Sequence, residues 1–227
     1  MERTIETCWF KGKCKKECTQ NCNIFMEFKF LLESSDLPIS YREPKKLQPD
    51  EADLATFCTL ADIKNDICNF VDNGHFLYLW GKHPGAGRSS WVCKIALTYL
   101  ALIANGNGFN ENNGVQFCYV PEFILMTTSF KDDSRDEYIK NLLTKKLLIL
   151  DDIGSCDSGK FAETNLASII DMRYRNGLST LFTSNLSEED LEAQYGARIT
   201  DRILSGLVLE IKGASRRESK HIYKKGE

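Results

Sequence analysis

Residues 75–104 constrain the fold of this chain more than any other stretch of it. An apolar run ends at Trp80, a loop rich in glycine and proline follows, and an apolar helical pattern begins after Ser89. A phosphate-binding loop requires this order, because glycine lets backbone N–H groups turn toward a phosphate and the helix N-terminus adds the positive end of its dipole. The stretch therefore predicts a parallel α/β fold with a triphosphate site at the loop.

The loop departs from the pattern G-x-x-x-x-G-K-[ST] at two positions. Lys82 stands where the first glycine belongs, since Gly81 comes one residue too early, and Arg88 replaces the usual lysine. Arginine is a planar fork where such loops hold a compact point charge, so we expect nucleotide binding with weak hydrolysis. The candidate nucleotide ligands in the loop are Gly85, Ala86, Gly87, Arg88, Ser89 and Ser90. The alternative is an ordinary strand-turn-helix joint with a chance PGAG turn.

Two adjacent carboxylates end a second apolar strand. The sequence KKLLILDDIG, residues 145–154, has the continuous apolar run of a buried strand. At the carboxyl end of a strand adjoining the loop strand, Asp151 is predicted to hold magnesium with Ser89, and Asp152 to polarise the attacking water. Aspartate is shorter than the glutamate common at the second position, which again indicates slow chemistry.

Further candidate residues follow in the C-terminal third of the chain. The strand pattern LSTLFTSN ends at Asn185, which we expect near the terminal phosphate. Arg198 and Arg202 are four residues apart and share one face of a predicted helix. Such arginines are often merely solvated, but in a ring of ATPase subunits one could act as an arginine finger on the neighbour's nucleotide.

The first 36 residues are rich in cysteine and lysine. Four of the nine cysteines follow the spacing C-x5-C-x3-C-x3-C, namely Cys8, Cys14, Cys18 and Cys22. So short a segment buries little apolar surface, so a four-thiolate zinc site is a plausible organiser. No CxxC pair is present, and cysteines packing on the body from one helix face, or an iron–sulfur or redox role, are the alternatives.

Proline placement and composition set the domain organisation. Three of the five prolines fall within 37–49, which marks a linker between a Cys-rich module, 1–36, and a main domain, 50–227. With 42% apolar residues, 27% charged residues and a net charge of -3, the chain is typical of an ordinary globular protein. It has neither a long apolar run nor a signal-peptide pattern, so no membrane role and a cytoplasmic location are expected.

A helical stretch after Pro121 contains Phe130 beside Lys131. A plain amphipathic helix explains the pattern. The functional alternative is a contact with single-stranded nucleic acid, where bases stack on aromatic side chains and basic side chains meet phosphates.

Several of these motifs together resemble one family. GKHPGAGRSS, LLILDDIG, LFTSNLSEEDL, YGARITDRIL and KGASRRES, in this order, resemble the AAA+ helicase loaders of the DnaC/DnaI type and the related IstB transposition ATPases, over about residues 50–218. The resemblance implies a P-loop AAA+ three-layer sandwich with a five-stranded parallel sheet and no helical lid. It implies ATP or ADP with Mg²⁺ as ligands. The short N-terminal module would suit a phage or mobile-element version.

The resemblance also implies roles and partners. By position, Asn185 is similar to sensor 1, Arg202 is the better finger candidate of the arginine pair, and Arg217 is similar to the sensor 2 arginine, with Arg216 as the alternative register. The implied partners are a DnaB-type replicative helicase, bound through a zinc-bearing kind of N-terminal module, and single-stranded DNA near Phe130 and Lys131. Self-assembly into a ring or spiral is implied as well.

Three hypotheses for the function follow. The first is a helicase loader that uses ATP as a switch during replication initiation. The second is an IstB-like transposition regulator that binds duplex DNA and a transposase. The third is a nucleotide-independent adaptor whose degenerate loop is only structural.

Overall fold

A parallel sheet forms the centre of the molecule. The computed structural model describes residues 8, 10, 22–43, 47–106, 113–127, 133–155 and 160–216. Within these residues the chain forms a five-stranded sheet in the order β2-β3-β4-β1-β5, every paired neighbour being parallel, which confirms the predicted α/β class. The strands are β1 (Phe76–Trp80), β2 (Val115–Tyr119), β3 (Leu147–Ile153), β4 (Ser179–Ser184) and β5 (Leu207–Glu210).

β4 lies between β1 and β3. Leu181 of β4 pairs with Leu77 on one side and with Ile149 on the other. The expectation that the loop strand and the acidic strand adjoin was therefore wrong. The physical reason is the crossover after β1, which carries the chain past two strand positions to β2, so that β3 and then β4 fill the gap on the way back.

Helices cover both faces of the sheet and make three layers. One face carries α1 (Asn23–Glu33), α2 (Leu54–Asn65), α3 (Ile67–Asp72) and α4 (Arg88–Asn105). The other carries α5 (Val120–Thr127), α6 (Asp133–Thr144), α7 (Lys160–Arg175), α8 (Glu188–Tyr195) and α9 (Ala197–Leu204). Alternation along β1 supplies both cores, since Leu77 and Leu79 lie in the first while Phe76 and Tyr78 lie in the second. Burial on both faces explains why the strands read as continuous apolar runs.

The helical segment over residues 51–72 is divided into three parts. A 3-10 turn, Glu51–Asp53, precedes α2, and α2 ends where Asp66 leaves the helical conformation. Asp66 then starts α3, and its Oδ2 accepts a hydrogen bond from Asn69 Nδ2 at 2.9 Å. Aspartate and asparagine favour such local bonds over a helix interior, which explains the break.

The segment before the linker packs on the main domain. α1 buries Phe28 and Leu31 in the same core as α4. Beyond α1, the Ser35 carbonyl accepts a hydrogen bond from the Phe117 N–H of β2 at 2.8 Å, which pairs part of the outer edge of that strand. The division at residue 36 into a separate module stays a prediction.

After β5 the described chain continues without regular secondary structure to Arg216, whose N–H bonds to the phosphate loop. The absence of a helical lid stays a prediction. Among the described helices, none is both long and apolar enough to cross a membrane.

Candidate nucleotide site

The phosphate loop joins β1 to α4 and turns at two glycines. Gly85 has φ +80°, and Gly87, the residue before the first turn of α4, has φ +105°. A Cβ disfavours both conformations, so these two positions require glycine. The loop residues predicted to bind nucleotide all line one cavity at the start of α4: Gly85, Ala86, Gly87, Arg88, Ser89 and Ser90. Backbone N–H groups at a helix N-terminus have no intrahelical acceptors, which makes the start of α4 an anion-binding position.

Close packing explains why residue 81 is a glycine. Its N–H donates to Ser184 O at 3.2 Å, and a Cβ on it would overlap the carbonyl oxygen of Ile211. The close approach arises because the Ile211 N–H donates to Trp80 O at 2.8 Å. Gly81 therefore serves the packing of the chain after β5, and Lys82, in the first-glycine position of the pattern, is exposed.

Arg88 lies against its own loop. Its Nη1 donates to the carbonyl of Gly81 and, at 3.2 Å, to that of His83. The guanidinium thus bridges two backbone carbonyls while Arg88 forms part of the cavity wall. A triphosphate that drew the side chain toward its terminal phosphates would compete with these two bonds.

The two acidic residues lie on a β-bulge at the end of β3. The pairing passes from Leu150 directly to Ile153, so Asp151 and Asp152 together face Thr183 of β4. The Thr183 hydroxyl donates to Asp151 Oδ1 at 2.7 Å and accepts from the Asp152 N–H at 2.9 Å. Asp152 has φ +65°, in the left-handed region. A bulge of this kind redirects side chains at a strand end.

Asp151 is nearly buried beside the loop. Burial raises the pKa of its carboxyl, and the Asp152 charge adds to this, whereas hydrogen bonds with Thr183 and Ser89 and the charge of Arg88 oppose it. Ser89 and Asp151, the predicted magnesium pair, both line the cavity, and Ser89 is near enough to the Asp151 carboxyl to lower its pKa. β4 between the two strands does not separate them.

The remaining polar residues at the strand ends divide into two groups. Asp152 is half-buried, lines the cavity, and receives a long hydrogen bond of 3.5 Å from the Tyr119 hydroxyl to its Oδ2. Asn185 is exposed and lines the same cavity. Ser184 is buried instead, and its hydroxyl donates to Ile153 O at 2.7 Å. Asn185 is thus the polar residue after β4 that is placed to meet a ligand.

The loop, the acidic pair and Asn185 line one cavity of about 1970 Å³. Pockets for small ligands are usually roughly 300–1,000 Å³, so a nucleotide with magnesium fits within it. The chain before α2 also lines the cavity, through Leu37, Pro38, Ile39, Tyr41, Arg42, Leu47, Gln48 and Asp50. The predicted linker therefore borders the site.

Arg216 brings the C-terminal segment onto the loop. Its N–H donates to Gly85 O at 2.9 Å, and its guanidinium donates to the Ala86 carbonyl and to Asp53 Oδ2, the latter at 3.0 Å. Arg216 also lines the cavity. The predicted sensor 2 residue, Arg217, lies outside the described residues, so the choice between Arg217 and Arg216 stays open.

Asp53 was not predicted as a site residue. It is fully buried and accepts the backbone N–H groups of Lys212 at 2.7 Å and Gly213 at 3.0 Å, besides the Arg216 guanidinium. A buried carboxylate with these partners anchors the chain after β5 to the start of α2. The only signal in the sequence was an acid at a helix start far from a basic segment, and many acids at helix starts have no such partner.

The family model described as IstB-like ATP binding protein matches residues 52–223. The chain belongs to this family. The match includes the loop, the acidic pair and Arg216, so these residues of the cavity lie in the part of the chain that matches an ATP-binding family. The family assignment confirms the resemblance seen in the motifs.

Known helicase loaders are similar to this IstB-like chain. It is 28% identical over 169 residues to the replicative helicase loader DnaI of Bacillus subtilis (strain 168), which covers 68% of this chain and 51% of that protein. The chain thus spans about half the length of this curated relative. A crystal structure of DnaI superposes with a TM-score of 0.61 at 23% identity, over 78% of this chain and 96% of that one. A crystal structure of the DnaC helicase loader gives 0.60 at 22% identity, over 77% and 100%. At these identities the two structures establish likeness of fold.

The two arginines of α9 lie away from the cavity of this IstB-like protein. Arg202 Nη1 approaches Asp171 Oδ1 of α7 at 2.6 Å, and Arg198 is exposed, with its Nη2 3.8 Å from the same oxygen. Neither is part of the cavity wall. The finger role on a neighbouring copy stays a prediction.

The donor atoms at the cavity fit magnesium. Mg²⁺ takes oxygen ligands and commonly uses one or two carboxylates together with substrate phosphates, and Ser89 and Asp151 supply a hydroxyl and a carboxylate to the lining of one cavity. Within the described ranges, no cluster of three or more His, Cys, Asp or Glu side chains is arranged for a metal. A magnesium ion that is shared with a nucleotide does not need one.

The zinc prediction concerns residues that the structure describes only in part. Cys8 is buried in the core of α1 and α4, and Cys22 is half-buried at the start of α1. Cys14 and Cys18 lie outside the described residues, as do Phe130 and Lys131, the predicted contacts with single-stranded DNA. These assignments stay predictions.

Proposed function

We propose that this protein is a replicative helicase loader whose activity depends on a bound adenine nucleotide. The observation that carries the proposal is the convergence of the glycine loop, Ser89 and the Asp151 and Asp152 pair on one cavity in an IstB-like ATP-binding chain. The named relatives are helicase loaders. Because the chain covers half of DnaI, the transfer of that function to it is our inference.

Each group of residues at the cavity has its own role in the proposed nucleotide binding. The phosphates of ATP or ADP bind at the backbone N–H groups of residues 85–90, and Ser89 and Asp151 hold a magnesium ion. When bound, this ion neutralises charge on the phosphates. Asp152 polarises water and Asn185 contacts the terminal phosphate, both from the cavity wall.

Arg88 makes the site better suited to a switch than to rapid turnover. Its guanidinium is engaged by the carbonyls of Gly81 and His83, and it replaces the compact ammonium group that such loops use on the terminal phosphates. We therefore propose weak ATPase activity, with nucleotide exchange or slow hydrolysis ending each loading cycle.

The N-terminal segment is the proposed site for a DnaB-type helicase. α1 buries one face on the main domain and leaves Met26 and Phe30 more than half exposed, at 58% and 57%. The two residues are four apart and so share one helix face. Exposed apolar side chains of this size on one face support a protein partner there.

Contact with single-stranded DNA and self-assembly complete the proposal. Phe130 and Lys131 fall between α5 and α6 in the sequence, and stacking with charge neutralisation is what such a pair offers a single strand. Arg202, with Arg198 beside it, is proposed to reach the nucleotide of a neighbouring copy in a ring or spiral.

Nucleotide titration tests the first part of the proposal. A fluorescent ADP or ATP analogue with magnesium should bind the wild-type protein saturably, and Arg88→Ala should weaken binding about tenfold by removing the basic group from the loop. Arg175→Ala is the matched control, since Arg175 is an exposed arginine outside the cavity wall. Absence of saturable binding to the wild type would favour the nucleotide-independent adaptor.

Co-purification with the host's replicative helicase tests the second part. Deletion of residues 1–36 would also remove the buried face of α1, so substitutions on its exposed face are the better probe. Met26→Glu with Phe30→Glu should abolish capture of the helicase, whereas Leu125→Glu, at another exposed apolar residue, should not. Retention of the helicase by the double variant contradicts the assigned surface, and capture of a transposase instead would favour the IstB-like alternative.

A further inference from the structure

The bulge at the end of β3 leaves a backbone N–H that bonds to a side chain of β4. Between the Leu150 and Ile153 pairings, two residues of β3 face the single residue Thr183. The extra residue of a bulge lacks its regular ladder partner. Here the Asp152 N–H donates to the Thr183 hydroxyl at 2.9 Å instead.

The direction of the hydrogen bonds at Thr183 follows from the single hydroxyl proton. Since Oγ1 accepts from the Asp152 N–H, its own proton is donated to Asp151 Oδ1, 2.7 Å away. Thr183 is only 2% exposed, so water does not readily replace either bond. One hydroxyl therefore holds the carboxylate of the first acid and the backbone of the second.

The backbone at Asp152 needs such support. Its φ of +65° is uncommon for a residue with a Cβ and persists where surrounding contacts fix it. Ser184, the next residue of β4, holds the other side of the bulge by donating to Ile153 O at 2.7 Å. The end of β4 thus fixes the bulge from which both acids line the cavity.

We propose that Thr183 is the positioning residue of the acidic pair, so that its hydroxyl sets how Asp151 and Asp152 meet a magnesium nucleotide at the loop. The inference rests on the proposed nucleotide function and deepens it. Thr183 does not line the cavity and acts through the two acids. Its loss should therefore affect recognition of the magnesium complex and leave contacts of the glycine loop with the phosphates intact.

Three substitutions separate positioning from general stability. Thr183→Val removes the hydroxyl while it keeps the branched shape, and Thr183→Ser keeps the hydroxyl. Thr180→Val is the matched control, because Thr180 is fully buried on the same strand and its hydroxyl accepts from Arg173 Nε at 3.0 Å, away from the acids. Nucleotide affinity is measured for each with magnesium and with EDTA, using a fluorescent analogue.

We expect Thr183→Val to lower affinity for the magnesium nucleotide about tenfold, as a small misplacement of ligands does, with less than about a twofold change in EDTA. Thr183→Ser and Thr180→Val should bind the magnesium nucleotide with wild-type affinity, even if Thr180→Val is less stable. Wild-type affinity of Thr183→Val for the magnesium nucleotide, or an equal loss of affinity with magnesium and with EDTA, overturns the inference.

Hydrogen exchange in the nucleotide-free protein provides an independent measurement. The Asp152 amide should exchange slowly in the wild type and in Thr183→Ser, and at least about tenfold faster in Thr183→Val, because its acceptor is gone. Unchanged exchange in Thr183→Val overturns the inference whatever the nucleotide results are. If the wild type binds no nucleotide, the proposed function fails, and the exchange measurement still decides whether Thr183 positions the Asp152 backbone.

Discussion

Arg202 Nη1 lies 2.6 Å from Asp171 Oδ1, and both side chains are largely buried, at 16% and 15% exposed. The contact is an ion pair that lacks the alignment of a hydrogen bond. The predicted finger is therefore held by α7 of its own chain. To reach a neighbouring nucleotide it must first leave this carboxylate.

Loss of Arg202 should lower the stability of the single chain. We expect Arg202→Ala to reduce the free energy of unfolding by about 2 kcal/mol. The reason is that the largely buried carboxylate of Asp171 would lose the guanidinium that neutralises it. Arg198→Ala should change it by less than about 0.5 kcal/mol, since Arg198 is 77% exposed and 3.8 Å away. Urea denaturation measures both, and equal effects would contradict the structural role of the pair.

Gly81→Ala should be costly because the new Cβ would overlap the Ile211 carbonyl. The expected loss is about 3 kcal/mol, with weaker nucleotide binding as the loop shifts. Gly177→Ala is the comparison, because a Cβ there meets nothing within 4 Å and only the φ of +61° opposes it, at about 1 kcal/mol. Thermal unfolding compares the two, and a milder effect for Gly81→Ala would show that the chain after β5 is not packed there.

Arg216 and Arg217 can be distinguished by paired substitutions. Arg216→Ala should lower nucleotide affinity about tenfold, because it releases the Ala86 carbonyl and leaves buried Asp53 without its guanidinium partner. We expect a smaller effect from Arg217→Ala, measured with the same fluorescent analogue. A larger effect at Arg217 would support Arg217 as the sensor 2 residue.

Cys118 should be resistant to alkylation in the folded protein. Burial raises the pKa of its thiol to about 12, and it is only 1% exposed, whereas Cys58 is exposed. Iodoacetamide at pH 8 should therefore modify Cys58 and leave Cys118 intact, as mass spectrometry of peptides can show. Denatured protein, in which both thiols should react, is the control.

The raised pKa of Cys118 also predicts how the free energy of unfolding changes at high pH. The unfolded chain loses the Cys118 proton near the ordinary value of 9.0, but the folded chain keeps it to about 12. The unfolded state therefore binds fewer protons between these values, and the contribution of Cys118 to the free energy of unfolding falls as pH rises through this window. Cys118→Ala should remove that part of the slope, and an unchanged slope would contradict the burial.

Local signals predicted the loop, the acidic pair and Asn185 because each is confined to a few consecutive residues. A strand end followed by glycine, or by two carboxylates, has one simple structural interpretation. Strand order was less accessible: nothing in the sequence near Leu77 or Ile149 shows that β4 lies between them. Asp53 and Arg216 were missed as partners because more than 150 residues separate them.

The sequence by itself determined the class of fold and the chemistry of the loop, since periodicity, glycine placement and strand-end carboxylates act over short distances along the chain. Only the tertiary structure decided which distant groups meet. It inserted β4 between the two site strands, placed Thr183 against the acidic pair, and brought Arg216 onto the loop beside Asp53. The reason is that hydrogen bonds between remote residues depend on how the sheet and helices pack, and a pattern of neighbours in sequence carries no record of that packing.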